Sequence, residues 1–144
     1  MQAGLIFIAG TAGRVVVHSA ITPIVNSTLT LITSLRTSSN TVTLQDVIDK
    51  HDIPATLQTI ESTCVALKCD KEPLKTAASH VVDTISNIHK LMTRIADITA
   101  SHNAGYISRW RTLVLDHEIS RLESLMTILH QRFKLMCDIR SVTA

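Results

Sequence analysis

The run that comes nearest to reaction chemistry is His117-Glu118, which opens like the zinc signature H-E-x-x-H. That signature works because two histidines one helical turn apart hold the metal while the glutamate serves as general base. Position 121 is Arg, so the second ligand is lost. Di-metal bundles instead use Glu-x-x-His pairs on facing helices, and the chain has none. The remaining histidines, His18, His51, His80, His89, His102 and His130, are scattered. Imidazole titrates near neutrality, so a pH-sensitive contact at His89 or His102 is conceivable. Ordinary surface or boundary positions are the expectation for all of them.

Nucleophiles and phosphate loops fare no better. Cys64 and Cys69 are five residues apart, on different sides of a helix, and Cys137 makes the number odd. Without a CxxC spacing the cysteines point to neither a zinc site nor a redox pair, and buried thiols in a reducing compartment are expected. A dinucleotide loop needs G-x-G-x-x-G, with separate glycines for the turn, the backbone approach and the helix packing. Gly10 and Gly13 are present, but position 12 is Ala and the third glycine is missing. No lysine precedes residue 50, which removes the other phosphate-loop pattern. No Gly-x-Ser-x-Gly elbow occurs. Acids such as Asp83, Asp97, Asp116 and Glu123 fit solvated helix faces. No catalytic, cofactor-binding or metal residue is assigned, and the chain is expected not to be an enzyme.

Two stretches suit contact rather than catalysis. In "YISRWR", Tyr106, Arg109, Trp110 and Arg111 combine aromatic and guanidinium groups that could stack on a base or sit at a lipid headgroup layer. No basic stripe backs them, and the net charge is +2, so nucleic acid is not the expected partner. Tryptophan and arginine are favoured anchors of protein interfaces, and this cluster is read as such. The second stretch is "GLIFIAG", where Leu5, Ile6, Phe7 and Ile8 form an apolar peptide between glycines. It is read as an adhesive arm, residues 1–22, that packs on the bundle or on a neighbouring subunit.

The elements that would position these stretches are helical. Leu74, Ala78, Val81, Ile85, Ile88, Met92, Ile95, Thr99 and His102 alternate steps of four and three, a seven-residue repeat that makes one helical seam. Gly105 follows, free to take a left-handed backbone and stop the helix. A second helix, starting between Ser108 and Thr112, carries Leu115, Ile119, Leu122, Met126, Leu129, Phe133 and Met136 in the same rhythm. A further row, Leu125, Ile128, Leu135 and Ile139, widens its face and implies more than one neighbour. Two long helices with a short link fold back on each other as a coiled-coil-like hairpin over 73–141.

Upstream, Leu44, Val47, Ile48 and His51 share a face, with Thr43 and Asp46 resembling a weak capping box. Pro54 requires a boundary or kink. Leu57, Ile60, Cys64 and Leu67 then form another row. Within 23–37, Val25, Leu29, Ile32 and Leu35 suit a helix beginning near Pro23, although "TLTLIT" also alternates as a strand would. Residues 37–40, "TSSN", are expected to be the loop that ends it.

The charge distribution divides the chain. Residues 1–45 carry only Arg14 and Arg36, whereas the remainder balances 12 Lys/Arg against 12 Asp/Glu. Between the two arginines lie 21 uncharged residues, the length of a bilayer span. His18, Pro23, Asn26 and seven Ser/Thr dilute that stretch, so membrane association through residues 3–35 ranks second. The start "MQAGLIF" lacks the positive n-region of a secretory signal and the glycine of a myristoylation site.

The expected fold is all-α: an antiparallel helical bundle over 23–144, built on the C-terminal αα-hairpin, with an apolar N-terminal arm. A positive mean hydropathy of +0.24 with 3% aromatics means more aliphatic surface than a solitary chain usually leaves in water. The expected role is a structural or adaptor subunit of a larger assembly, such as a minor capsid or shell component of a virion. Its partners are expected to be other protein subunits, and its setting a reducing compartment or a large particle. A small helical enzyme or cofactor-binding bundle ranks third.

Overall fold

The computed structural model describes residues 13–36, 42–67, 71–105 and 113–143. Among the described residues the chain forms five helices and no strand: α1 Gly13–Leu35, α2 Val42–Lys50, α3 Ile53–Ala66, α4 Leu74–Ala104 and α5 Asp116–Thr143. The all-α expectation and the C-terminal helical hairpin both hold. "TSSN" lies outside the described residues.

α1 departs most from expectation. It starts at Gly13, not near Pro23, and it runs through the proline without interruption. A proline inside a helix removes one backbone bond and crowds the preceding turn, at about 3 kcal/mol. Against that stand Ile21, Val25, Ile32 and Leu35, all buried. Each contributes roughly 1.5–3 kcal/mol on burial, so the row on one face outweighs the local defect. Pro23 itself is exposed. The alternating "TLTLIT" is helical too: Thr28, Thr30 and Thr33 donate their hydroxyls to the carbonyls of Ile24, Asn26 and Leu29, one turn back. The helix therefore crosses the 22/23 boundary drawn between arm and bundle.

The break at Pro54 falls where its chemistry requires. α2 ends at Lys50, and α3 begins at Ile53 with Pro54 in its first turn, where a missing donor costs little. Asp52 makes the corner at φ 46°, ψ 51°, a left-handed conformation that aspartate tolerates better than most residues. Its amide donates to the Asp49 carbonyl at 3.1 Å, and its own carbonyl accepts from the Thr56 amide at 2.9 Å. α2 starts at Val42, so Thr43 and Asp46 lie inside the first turn and do not form a box around it. Leu44, Val47, Ile48, Leu57, Ile60, Cys64 and Leu67 are buried, as their spacing predicts.

α4 is 31 residues long, about 46 Å at 1.5 Å per residue. Its seam from Leu74 to Thr99 is buried throughout, and Ala77, Val82, Thr84 and Leu91 widen it. That breadth reflects its position, since α4 packs against α1 on one side and α5 on the other. Gly105 ends the helix in an extended conformation at φ −79°, ψ 127°, not in the left-handed one. α5 starts at Asp116, later than expected; residues 113–115 are not helical, and the Leu115 carbonyl accepts the Ile119 amide at 2.8 Å. Asp116 and Glu118 occupy the first turn, where carboxylates complement the amide-rich end of a helix.

Two polar ties fix the hairpin's direction. Arg132 reaches Thr84, and Arg94 reaches Glu118. The number rises along α4 as it falls along α5, so the helices are antiparallel. α3 packs on α1, and α2 touches α3 and α5, closing one side of the bundle.

Candidate functional site

The residues assigned to partner binding from sequence, Leu5, Ile6, Phe7 and Ile8 with Tyr106, Arg109, Trp110 and Arg111, all lie outside the described residues. Within the described residues two other features stand out. One is a set of polar ties between helices. The other is an apolar row on α5 that the bundle does not cover.

The ties sit at successive levels. Arg36 at the end of α1 binds Asp49 of α2 at 3.1 Å, and the Gln45 amide donates to the Leu35 carbonyl at 3.1 Å. At the next level, Lys50 Nζ and His51 Nε2 lie 3.3 Å and 3.4 Å from the same oxygen, Oε2 of Glu123 on α5. The His51 ring and the Lys50 ammonium hold the Glu123 carboxyl below its ordinary value. Arg94 Nε meets Glu118 at 3.4 Å, with the carboxylate side chain largely buried and the guanidinium mostly in water. Finally, Arg132 donates to Thr84 Oγ1 at 2.7 Å and to the His80 carbonyl at 3.3 Å. Exposed pairs of this kind are worth at most about 1 kcal/mol each. They fix register and direction more than they hold the fold together.

Sequence reasoning missed the Glu123 contact. His51 was placed on an apolar face and Glu123 on a solvated one, and both placements were incomplete. The partners are 72 residues apart, and no local spacing relates them. Among the other histidines, His80, His117 and His130 are exposed while His89 and His102 are half-buried. His130 Nδ1 lies 2.8 Å from the Met126 carbonyl of its own helix. Among the described residues no group of three or more His, Cys, Asp or Glu is placed to hold a metal ion. Cys64 is a core thiol, Cys137 is half-buried, and Cys69 lies outside the described residues.

The apolar row lies in the second half of α5. Ile128, Leu135, Ile139 and Val142 step by seven, four and three, which puts them within a sector of about 60° on a helix. The core row, Leu122, Met126, Leu129 and Met136, lies about a third of a turn away. Leu135 is 53% exposed and Val142 84%, while Ile128 and Ile139 are half-buried. The wider face expected of this helix is therefore split: Leu125 enters the core, and the remainder is left outward.

The charge-poor first third of the chain behaves differently. The apolar residues of α1 from Ile21 to Leu35 form a core row against α3 and α4. Among the described residues, no helix is long and apolar enough to cross a membrane.

The fold and its surface define an all-α bundle with one uncovered apolar row. No family model matches the chain, and no solved structure matches it. A curated relative is similar at a distance: 26% identical over 108 residues, 75% of this chain, it is an uncharacterized protein of Acanthamoeba polyphaga mimivirus. The chain spans about half of that relative's length, 52%. The similarity is thus to a viral protein.

Proposed function

We propose that the chain is a non-enzymatic structural or adaptor subunit of a larger protein assembly, for example a minor capsid or shell component of a virus particle. The observation that carries this reading is the row of Ile128, Leu135, Ile139 and Val142, left outward on a helix whose opposite face is fully packed. Aliphatic side chains aligned on one face of a helix match the apolar face of another helix. In this reading the partners are other protein subunits. The N-terminal residues Leu5 to Ile8 and the cluster around Trp110 add contacts beyond the described helices. The similarity to a viral protein supports a particle as the setting. The nearly balanced charge supports protein, not nucleic acid, as the partner.

The test is the mass in solution, by light scattering, of the 15.8 kDa chain and of a Leu135→Glu/Val142→Glu double variant. The chain is expected to form a species of higher mass that the double variant loses, with helicity unchanged by circular dichroism. A chain that stays monomeric and unaggregated across concentrations overturns the reading.

A further inference from the structure

The corner between α2 and α3 brings two cations to one carboxylate. α2 is the shortest of the five helices, at nine residues. Its last residue, Lys50, and the corner residue His51 both reach Oε2 of Glu123. The left-handed Asp52 turns the chain immediately afterwards, and the Thr56 hydroxyl donates to the His51 carbonyl at 3.3 Å, fixing the His51 backbone from the α3 side. The charged groups of the neighbouring elements are directed elsewhere. Arg36 of α1 is on Asp49, and Arg94 of α4 is on Glu118. Among the described residues, His51 and Lys50 are the groups that act on the Glu123 carboxylate.

We propose that this corner is a pH-set fastener between α2 and α5, gaining charge when His51 takes up a proton and losing it when Glu123 does. Imidazoles take up their proton in the mildly acidic range. Glu123 keeps its charge there, because its carboxyl is held below the ordinary value by the His51 hydrogen bond first and Lys50 second. The sign follows from linkage. A carboxylate held low contributes fully above the ordinary carboxylate range, and the contribution is lost as the pH falls through the lowered value. The fastening is therefore strongest in the mildly acidic range and weaker on both sides of it. A hydrogen bond with a purely structural role has no such maximum.

Amide hydrogen exchange of the full chain tests this, read by NMR from pH 8 to pH 3.5 and corrected for intrinsic rates. The α2 amides report the corner, and amides in the middle of α4 serve as the internal reference. Protection of α2 relative to α4 is expected to rise about threefold on going from pH 8 to pH 5.5, then to fall again towards pH 3.5, the size expected of partly exposed pairs. His51→Gln is expected to abolish the rise and keep the fall, and Glu123→Gln to flatten both. Lys50→Gln, which leaves the histidine contact in place, is expected to keep the maximum at reduced height. A flat profile in the unaltered chain overturns the proposal, as does a rise that survives His51→Gln or a change shared equally by the α4 amides.

Discussion

The two arms of the hairpin have the same apolar rhythm and different surroundings. α4 buries its seam from Leu74 to Thr99 and a second set of side chains beside it, because α1 and α5 cover it from two sides. α5 buries Ile119, Leu122, Leu125, Met126 and Leu129 in its first half, but only Met136 beyond them. Its second row faces outward there. A repeat of sevens tells which residues share a face. It does not tell how many neighbours that face has.

Substitutions along the two arms can break or sharpen this contrast. The largest effect is expected at Ile88, fully buried in the middle of α4. Ile88→Ala should destabilise the chain by about 3–4 kcal/mol in urea unfolding, the sum of lost transfer energy and a cavity that cannot collapse between two helices. Met136→Ala, fully buried but near the end of α5, should cost about 2 kcal/mol, since its surroundings relax more readily. Leu135→Ala, one residue away, should stay within about 0.5 kcal/mol when measured at a concentration where the chain is a monomer. Equal costs at Leu135 and Met136 would show that both sides of α5 are covered, and the contrast between the arms would fail.

Much of the fold was legible from periodicity. The buried rows of α2, α3, α4 and the first half of α5 follow from spacing alone. The corner at Pro54 was legible because proline acts on its own backbone and on the residue before it. The start of α1 was not, because the same local rule, applied at Pro23, gave the wrong answer. There the burial of Ile21 and Val25 on either side of the proline overrides it. The stop at Gly105 was placed correctly, with the wrong backbone conformation. The candidate site was barely legible. Leu135 and Ile139 were noted as a second row, but whether that row would be covered was open. The clasp of Lys50 and His51 on Glu123 left no trace in the sequence.

The sequence by itself determined that this chain is helical, where its apolar faces lie, and that its longest helices form a hairpin. Those properties depend on residues within a few turns of one another, and a helix exposes them as spacing. Only the tertiary structure decided which faces meet, that α1 continues through Pro23, that Glu123 receives two cations, and that the end of α5 leaves an apolar row uncovered. Each of these depends on which distant segment packs alongside, and packing energy can outweigh any local preference.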